Sequence, residues 1–151
     1  MANILIVEDE PAIRQLISFT LTDLGHDVTE AANGQEAVEI LKDARPDLIV
    51  LDVMMPRLDG WGVMRELRRT GAKRKVRVLM LTAKSGDRDF VSGWKLGVDE
   101  YLTKPFEPDD LALAVNETLL MTTEQIQERR LKELEKSNLL SRIETAFGEG
   151  L

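Results

Sequence analysis

Apolar residues follow two alternating patterns over the first 120 residues. Five short segments have the composition of β-strands: Ile4–Val7, Asp27–Ala31, Leu48–Leu51, Val76–Leu81 and Val98–Thr103. The first and third are apolar throughout, as expected for strands covered on both faces. Between them, apolar residues recur every three or four positions, which predicts amphipathic helices. Strands that alternate with helices of about three turns predict βαβ crossovers, and hence an α/β fold with a mostly parallel sheet covered by helices on both faces.

Polar residues stand at the carboxyl ends of four of these strands. Glu8 and Asp9 follow the first strand, Asp52 ends the third, Thr82 ends the fourth and Lys104 follows the fifth. In open parallel sheets the ligand crevice lies beyond the carboxyl ends of the strands. We therefore expect these five side chains to meet at one edge of the sheet.

Residues 121–147 have a different character. They contain no proline or glycine and many helix-forming residues, which predicts a long helix that continues the preceding one. Its apolar positions keep no single heptad register: Ile126, Leu131, Leu134, Leu139, Leu140, Ile143 and Phe147. Three interpretations stay open: a coiled-coil homodimer, a helix that folds back onto its own domain or docks on another partner, and a linker to an effector.

Composition narrows the class of protein. The chain is 43% hydrophobic and 31% charged, which is typical of soluble globular proteins. The absence of cysteine excludes disulfides, thiolate metal sites and cysteine nucleophiles. No apolar run approaches the length of a membrane span, and the amino terminus lacks the basic start of a secretory signal. We expect a cytoplasmic protein that does not bind membranes.

The charge of the chain bears on its partners. A formal net charge of −7 argues against attraction to nucleic acid phosphates or anionic lipids. The local exception is the basic segment from Lys73 to Arg77, which we interpret as a solvated loop because charge runs at loops usually are.

The acidic cluster suggests a metal. Glu8, Asp9 and Asp52 would repel one another in partly desolvated surroundings, and a divalent cation relieves that repulsion. Mg²⁺ suits such a site because it prefers oxygen ligands. A metal, the ammonium group of Lys104 and the hydroxyl of Thr82 around Asp52 would stabilise a phosphoryl group on that carboxylate. Asp52 is central and is therefore the predicted acceptor.

Four motifs in this order resemble one known family. Val7-Glu8-Asp9-Glu10, Leu51-Asp52-Val53-Met54-Met55-Pro56 with Asp59-Gly60, Leu81-Thr82-Ala83 and Tyr101-Leu102-Thr103-Lys104-Pro105-Phe106 closely resemble the receiver domain of bacterial two-component response regulators. The resemblance covers about residues 2–120. It implies a flavodoxin-like (βα)5 doubly wound sheet with strand order 2-1-3-4-5, here followed by the long C-terminal helix.

The resemblance also implies roles for the site residues. Asp52 would accept a phosphoryl group from a sensor histidine kinase, and Thr82 and Lys104 would bind the phosphoryl oxygens. Asp9 and Asp52 would bind Mg²⁺ directly, with the backbone carbonyl of Met54 as a further ligand and Glu8 acting through water. These roles are expectations at this point.

The same resemblance implies a way to transmit the signal. Thr82 would move toward the phosphate and let Tyr101 turn inward, which alters the surface made by the helix predicted over residues 86–96, the fifth strand and the helix that opens at Pro108. A homodimer would form through that face, the C-terminal helix, or both. Side chains at the Met54 and Lys84 positions would tune the dephosphorylation rate.

Two rival functions are disfavoured. A metal-dependent phosphatase of the haloacid dehalogenase type uses a second aspartate two residues after the first, where this chain has Met54. A nucleotide-binding module needs glycines after the first strand, and Asn3–Arg14 contains none. We therefore expect a phosphoacceptor switch that at most phosphorylates and dephosphorylates itself, rather than an enzyme.

The domain organisation follows from these patterns. We predict a receiver domain over residues 1–120 and a helical extension, either coiled coil or linker, over residues 121–151. The 31 residues after position 120 are too few for a winged helix or helix-turn-helix domain. We therefore expect output through contact with an unknown downstream protein, without direct binding to nucleic acid.

Overall fold

The structure is a computed structural model that describes residues 1–83 and 93–149. Its strands are β1 (Asn3–Val7), β2 (Asp27–Ala31), β3 (Leu48–Asp52), β4 (Arg77–Thr82) and β5 (Glu100–Thr103). Its α-helices are α1 (Pro11–Asp23), α2 (Gly34–Asp43), α3 (Gly60–Thr70), α4 (Pro108–Leu120) and the C-terminal helix α5 (Thr123–Glu149), and a 3-10 helix spans Ala72–Lys75. The helix predicted over residues 86–96 lies largely outside the described residues, although residues 93–96 are helical.

The five strands form one parallel sheet in the order β2-β1-β3-β4-β5. The predicted α/β fold and strand order are therefore confirmed. β3 is central, and all five of its residues are buried. Successive strand residues point to opposite faces of a sheet, so Leu5, Val7, Ile49 and Leu51 pack toward α2 and α3, while Ile4, Ile6, Leu48 and Val50 pack toward α1 and α4.

The start of β5 differs from the prediction. The expected strand began at Val98, whereas β5 begins at Glu100. Val98 and Asp99 are buried, but the Asp99 amide donates to the Val78 carbonyl oxygen just before the strand begins. Burial and apolar composition alone do not distinguish the residues of a strand from buried residues that precede it.

The C-terminal helix is not a continuation of α4, and that prediction is wrong. Met121 ends α4 in an extended conformation, and the new helix begins at Thr123. A capping box stabilises the start of this separate helix. The Thr122 hydroxyl accepts from the Gln125 amide, and the Gln125 side chain accepts from the Thr122 amide.

The first two turns of the C-terminal helix dock on the domain that precedes it. Ile126 is buried, and Arg129 makes an ion pair with Glu100 and lies 5.8 Å from the ring centroid of Trp94. Arg130 pairs with Asp99 at 2.9 Å. Of the three interpretations above, folding back onto the chain's own domain therefore describes the start of this helix.

The segment from Lys73 to Arg77 is not simply a solvated loop. The Lys73 ammonium nitrogen lies 3.0 Å from a carboxylate oxygen of Asp99, which is almost fully buried. The Asp99 carboxylate also accepts from the Val78 amide, so it holds the 3-10 helix, β4 and the C-terminal helix together. In residues 1–83 and 93–149, none of the helices is long and apolar enough to cross a membrane.

Candidate functional site at the carboxyl edge of the sheet

The register of the strands places the acidic residues side by side. Val7 of β1 pairs with Leu51 of β3, so the next residues, Glu8 and Asp52, lie at the same level. Thr82 pairs with Thr103, which brings Lys104 to the neighbouring end of β5. The parallel arrangement therefore gathers side chains from four strand ends, as the sequence predicted.

Lys104 joins the two buried carboxylates. Its ammonium nitrogen lies 2.8 Å from Oε2 of Glu8 and 3.3 Å from Oδ1 of Asp52. Glu8 is fully buried, and its Oε1 accepts from the Glu10 amide. Asp52 is only 3% exposed. One cation thus faces two carboxylates, and the pair retains excess negative charge.

The electrostatic state of Asp52 reflects that excess. Burial, followed by the negative charge of Glu8, raises the pKa of Asp52 to about 7, although Lys104 opposes the shift. Burial alone would lower the pKa of Lys104, yet its hydrogen bond to Glu8 and the charges of Asp52 and Glu8 raise it overall. Lys104 therefore stays charged, whereas Asp52 is poised between its two protonation states near neutral pH.

The residues present fit a divalent cation. Carboxylate oxygens of Glu8, Asp9 and Asp52 lie within 4.8 Å of one another. Asp9 is half-buried beside the two buried acids, so the cluster opens toward solvent on its side. Carboxylate oxygens are the preferred ligands of hard cations such as Mg²⁺. Met54, whose carbonyl the resemblance implicates, follows in the loop after Asp52 with its side chain exposed.

A backbone hydrogen bond closes the loop that follows Asp52. The Gly60 amide donates to the Val53 carbonyl oxygen at 2.9 Å, and Asp59 caps α3 by accepting from the Gly62 amide. A β-carbon at Gly60 would come within 2.5 Å of the Asp52 carbonyl oxygen. The Asp59-Gly60 pair in the sequence thus allows α3 to start directly against the end of β3.

The two residues expected to act as a switch lie on adjacent strands. Thr82 is buried at the end of β4, where its hydroxyl donates to the Ala83 carbonyl oxygen. Tyr101 is half-buried, and its ring meets Trp94 edge to face at 5.4 Å between centroids. Because Trp94 also contacts Arg129, side chains connect β5 to the C-terminal helix. Lys84 lies outside the described residues.

Comparison with known proteins decides the family. Residues 4–116 match the model of the response regulator receiver domain. The chain belongs to this family. It is similar to chemotaxis protein CheY4 of Vibrio cholerae, with a TM-score of 0.74 and 35% identity, over 78% of this chain and 98% of that one. That likeness agrees with the sheet order described above.

Curated relatives of the receiver chain are longer proteins. It is 44% identical over 117 residues to a probable transcriptional regulator, ycf27, of Porphyridium aerugineum, covering 78% of this chain and 48% of that protein. It is 40% identical over 126 residues to the DNA-binding dual master transcriptional regulator RpaA of Synechocystis, covering 83% of this chain and 52% of that one. The chain therefore spans about half the length of these relatives.

Sequence reasoning missed two features around the site. It assigned Glu8 to the metal and Lys104 to the phosphoryl group, but not the 2.8 Å ion pair between them. It also passed over Asp99, the buried carboxylate that anchors Lys73 and Arg130. The only signal for Asp99 was an acidic residue next to a buried strand, which by itself does not identify a partner.

Proposed function

We propose that this chain is the receiver part of a two-component response regulator and accepts a phosphoryl group on Asp52 from a sensor histidine kinase. The observation that carries the proposal is the buried Asp52 carboxylate at the end of β3, with Lys104 at 3.3 Å and the acids Glu8 and Asp9 beside it. Membership of the receiver family supports the same role.

The proposed step is a phosphoryl transfer between two side chains. A carboxylate oxygen of Asp52 forms a bond to phosphorus, the phosphorus–nitrogen bond of the kinase's phosphohistidine breaks, and its electron pair returns to the imidazole. Lys104 neutralises charge on the phosphoryl oxygens, and the Thr82 hydroxyl turns from the Ala83 carbonyl to bind one of them.

A bound Mg²⁺ would neutralise negative charge on the acidic cluster and on the transferred group. Asp9 and Asp52 would hold it, with the Met54 carbonyl as a further ligand, and Glu8 would act at a distance through water. Glu8 also keeps Lys104 in place through the ion pair described above. The excess of negative charge supports this role for a cation, because Lys104 alone does not balance three carboxylates.

The signal would leave by protein contact. Tyr101, Trp94 and Arg129 connect β5 with the C-terminal helix, so the inward turn of Tyr101 that a movement of Thr82 would allow would affect that helix. We infer that the helix presents its exposed apolar side chains to a second copy of the chain or to a downstream protein. In this proposal the chain works as a switch in the cytoplasm and does not turn over a substrate.

Phosphoryl acceptance is tested by intact-mass measurement after incubation with acetyl phosphate and Mg²⁺. We expect the mass of one phosphoryl group to be added to the wild-type chain and to the matched control Asp43→Asn, whose side chain is exposed at the end of α2. Asp52→Asn should gain none, and EDTA should suppress the reaction. Equal labelling of Asp52→Asn would refute the proposal.

A further inference from the structure

A cavity of about 720 Å³ lies between the C-terminal helix and the domain on which it docks. It lies near the amino ends of β4 and β5, whereas the acidic cluster lies at the carboxyl ends of the strands. Thr123, Ile126 and Arg130 line it from the helix, and Val76 and Trp94 supply apolar wall from the domain. Its volume falls within the range of small-molecule sites.

The charge of this cavity is unlike that of the rest of the chain. Its lining contains five basic side chains and one acidic one, although the chain carries a net charge of −7. The basic residues are Arg68, Lys73, Arg77, Lys95 and Arg130, and the acid is Asp99. Four of the bases belong to the domain, and Arg130 joins them because the C-terminal helix is docked.

The positive charge is concentrated around Asp99. Lys73 and Arg130 share its carboxylate at 3.0 Å and 2.9 Å. Burial lowers the pKa of Lys73, and the nearby charges of Arg130 and Arg77 lower it further, while Asp99 opposes them. Lys73 and Arg130 therefore share one carboxylate, and four positive charges have no counterpart among the residues that line the cavity.

Arg130 also retains an unused donor. Its Nη2 donates to Asp99 and to the Gly97 carbonyl oxygen. Its Nε is buried and has no hydrogen-bond partner in the described part of the chain. A buried donor without a partner is uncommon and costly, and an acceptor oxygen of a ligand in the cavity would satisfy it.

We propose that this cavity binds a small phosphate-bearing polyanion, of the size of a pyrophosphate or a nucleoside diphosphate. Arg130 and Arg77 would bind its phosphate oxygens, since guanidinium groups match phosphate geometry. Ile126 and Trp94 would pack against any apolar part of the ligand. The site is separate from Asp52, and the inference does not depend on phosphoryl acceptance there.

Such a ligand would stabilise the docked helix. One wall of the cavity is the helix itself, so the complete site exists only when the helix is docked. A ligand that binds one state alone shifts the equilibrium toward it. The anion would thus act as an effector that holds the C-terminal helix against the domain.

The test is isothermal titration calorimetry of the full chain with phosphate, pyrophosphate and ADP, in EDTA and at constant ionic strength set with NaCl. We expect saturable binding of pyrophosphate or ADP. Arg130→Gln and Arg77→Gln should each weaken it at least about tenfold, as expected for one lost charge-assisted hydrogen bond. Arg142→Gln, on an exposed position of the same helix, should leave it unchanged.

The variants separate ligand binding from helix docking. Arg130 also anchors the helix, but the side chain of Arg77 has no described bond to the helix, so its effect reports on the ligand. Saturable binding of ADP or pyrophosphate supports the proposal. Tighter binding of ADP than of pyrophosphate would show that the apolar wall contributes, and equal binding would show that it does not. No saturable binding of either ligand, or an unchanged affinity in Arg77→Gln, would overturn it.

Discussion

The ionised form of Asp52 destabilises the folded chain when no cation is bound. Its folded pKa is raised to about 7, whereas an aspartate in the unfolded chain has its ordinary value near 3.8. Between these values the folded chain binds a proton at Asp52 that the unfolded chain has released. The free energy of unfolding of the metal-free protein should therefore fall as the pH rises through this window.

Asp52→Asn removes that titrating charge. In EDTA at about pH 8, we expect the substitution to raise the free energy of unfolding by roughly 1–3 kcal/mol and to flatten its dependence on pH. Urea unfolding followed by circular dichroism across the window measures both effects. Asp43→Asn, at an exposed position, should change neither. A destabilised Asp52→Asn protein at this pH would contradict the explanation.

Tyr101 occupies space that only a glycine at position 93 leaves open. A β-carbon at Gly93 would overlap the Tyr101 hydroxyl group. We expect Gly93→Ala to displace the Tyr101 ring and weaken its edge-to-face contact with Trp94. In a Trp61→Phe background, the Trp94 emission should shift toward that of the Tyr101→Ala variant. An emission spectrum identical to that of the unsubstituted background would show that the ring has not moved.

Single residues differ in how well the sequence predicts their surroundings. Glu8, Asp52 and Lys104 were placed together because each stands at the carboxyl end of a strand, and parallel pairing aligns those ends. Asp99 and its partner Arg130 are 31 positions apart, and no sequence pattern indicates that they meet. Their meeting depends on how the last helix turns back, which residue types alone do not specify.

At the level of elements, the break between α4 and the C-terminal helix depends on a few side chains. The sequence contains Thr122 and, three positions later, Gln125, which is the pattern of a capping box. Helix propensity favoured one continuous helix, because neither proline nor glycine interrupts the segment. The local hydrogen bonds of the box outweighed that propensity, and the turn lets Ile126 and Arg130 reach the domain.

Loss of this cap should loosen the helix. We expect Thr122→Ala to cost about 1 kcal/mol of helix stability and to increase amide hydrogen exchange in the first turns of the C-terminal helix. Thr123→Ala makes the same chemical change one position later, inside the helix, and should have a much smaller effect. Equal exchange rates in the two variants would show that the box does not hold the turn.

Over the whole molecule, the alternation of strands and helices was enough to predict a parallel sheet with helices on both faces. The order of the strands came from the family resemblance, because periodicity does not tell which strands are neighbours. The same limit applies to the C-terminal helix. Its apolar residues predicted that something covers them, and among those whose side chains the structure describes only Ile126 is fully buried.

The uncovered residues of that helix form a second surface. Leu139, Leu140 and Ile143 are all exposed, and spacings of three and four residues place them on one side of the helix. At about 100° per residue Leu139 and Ile143 project roughly 140° and 100° around the helix axis from Ile126, whereas Leu140 projects within about 40° of it. Residues 122–151 carry six acids and five bases, so two copies would repel each other little.

We therefore predict that this surface joins two copies of the chain. Multi-angle light scattering should show a dimer whose population grows with protein concentration, and Leu139→Gln with Ile143→Gln should shift it to monomer. The pair Leu113→Gln and Leu120→Gln, also exposed but on α4, should leave the mass unchanged. Because Leu139 and Ile143 project to a different side from Ile126 and lie beyond the docked first turns, dimerisation does not require the helix to leave its domain. A monomer at all concentrations, with and without beryllofluoride, would instead assign this surface to a different protein.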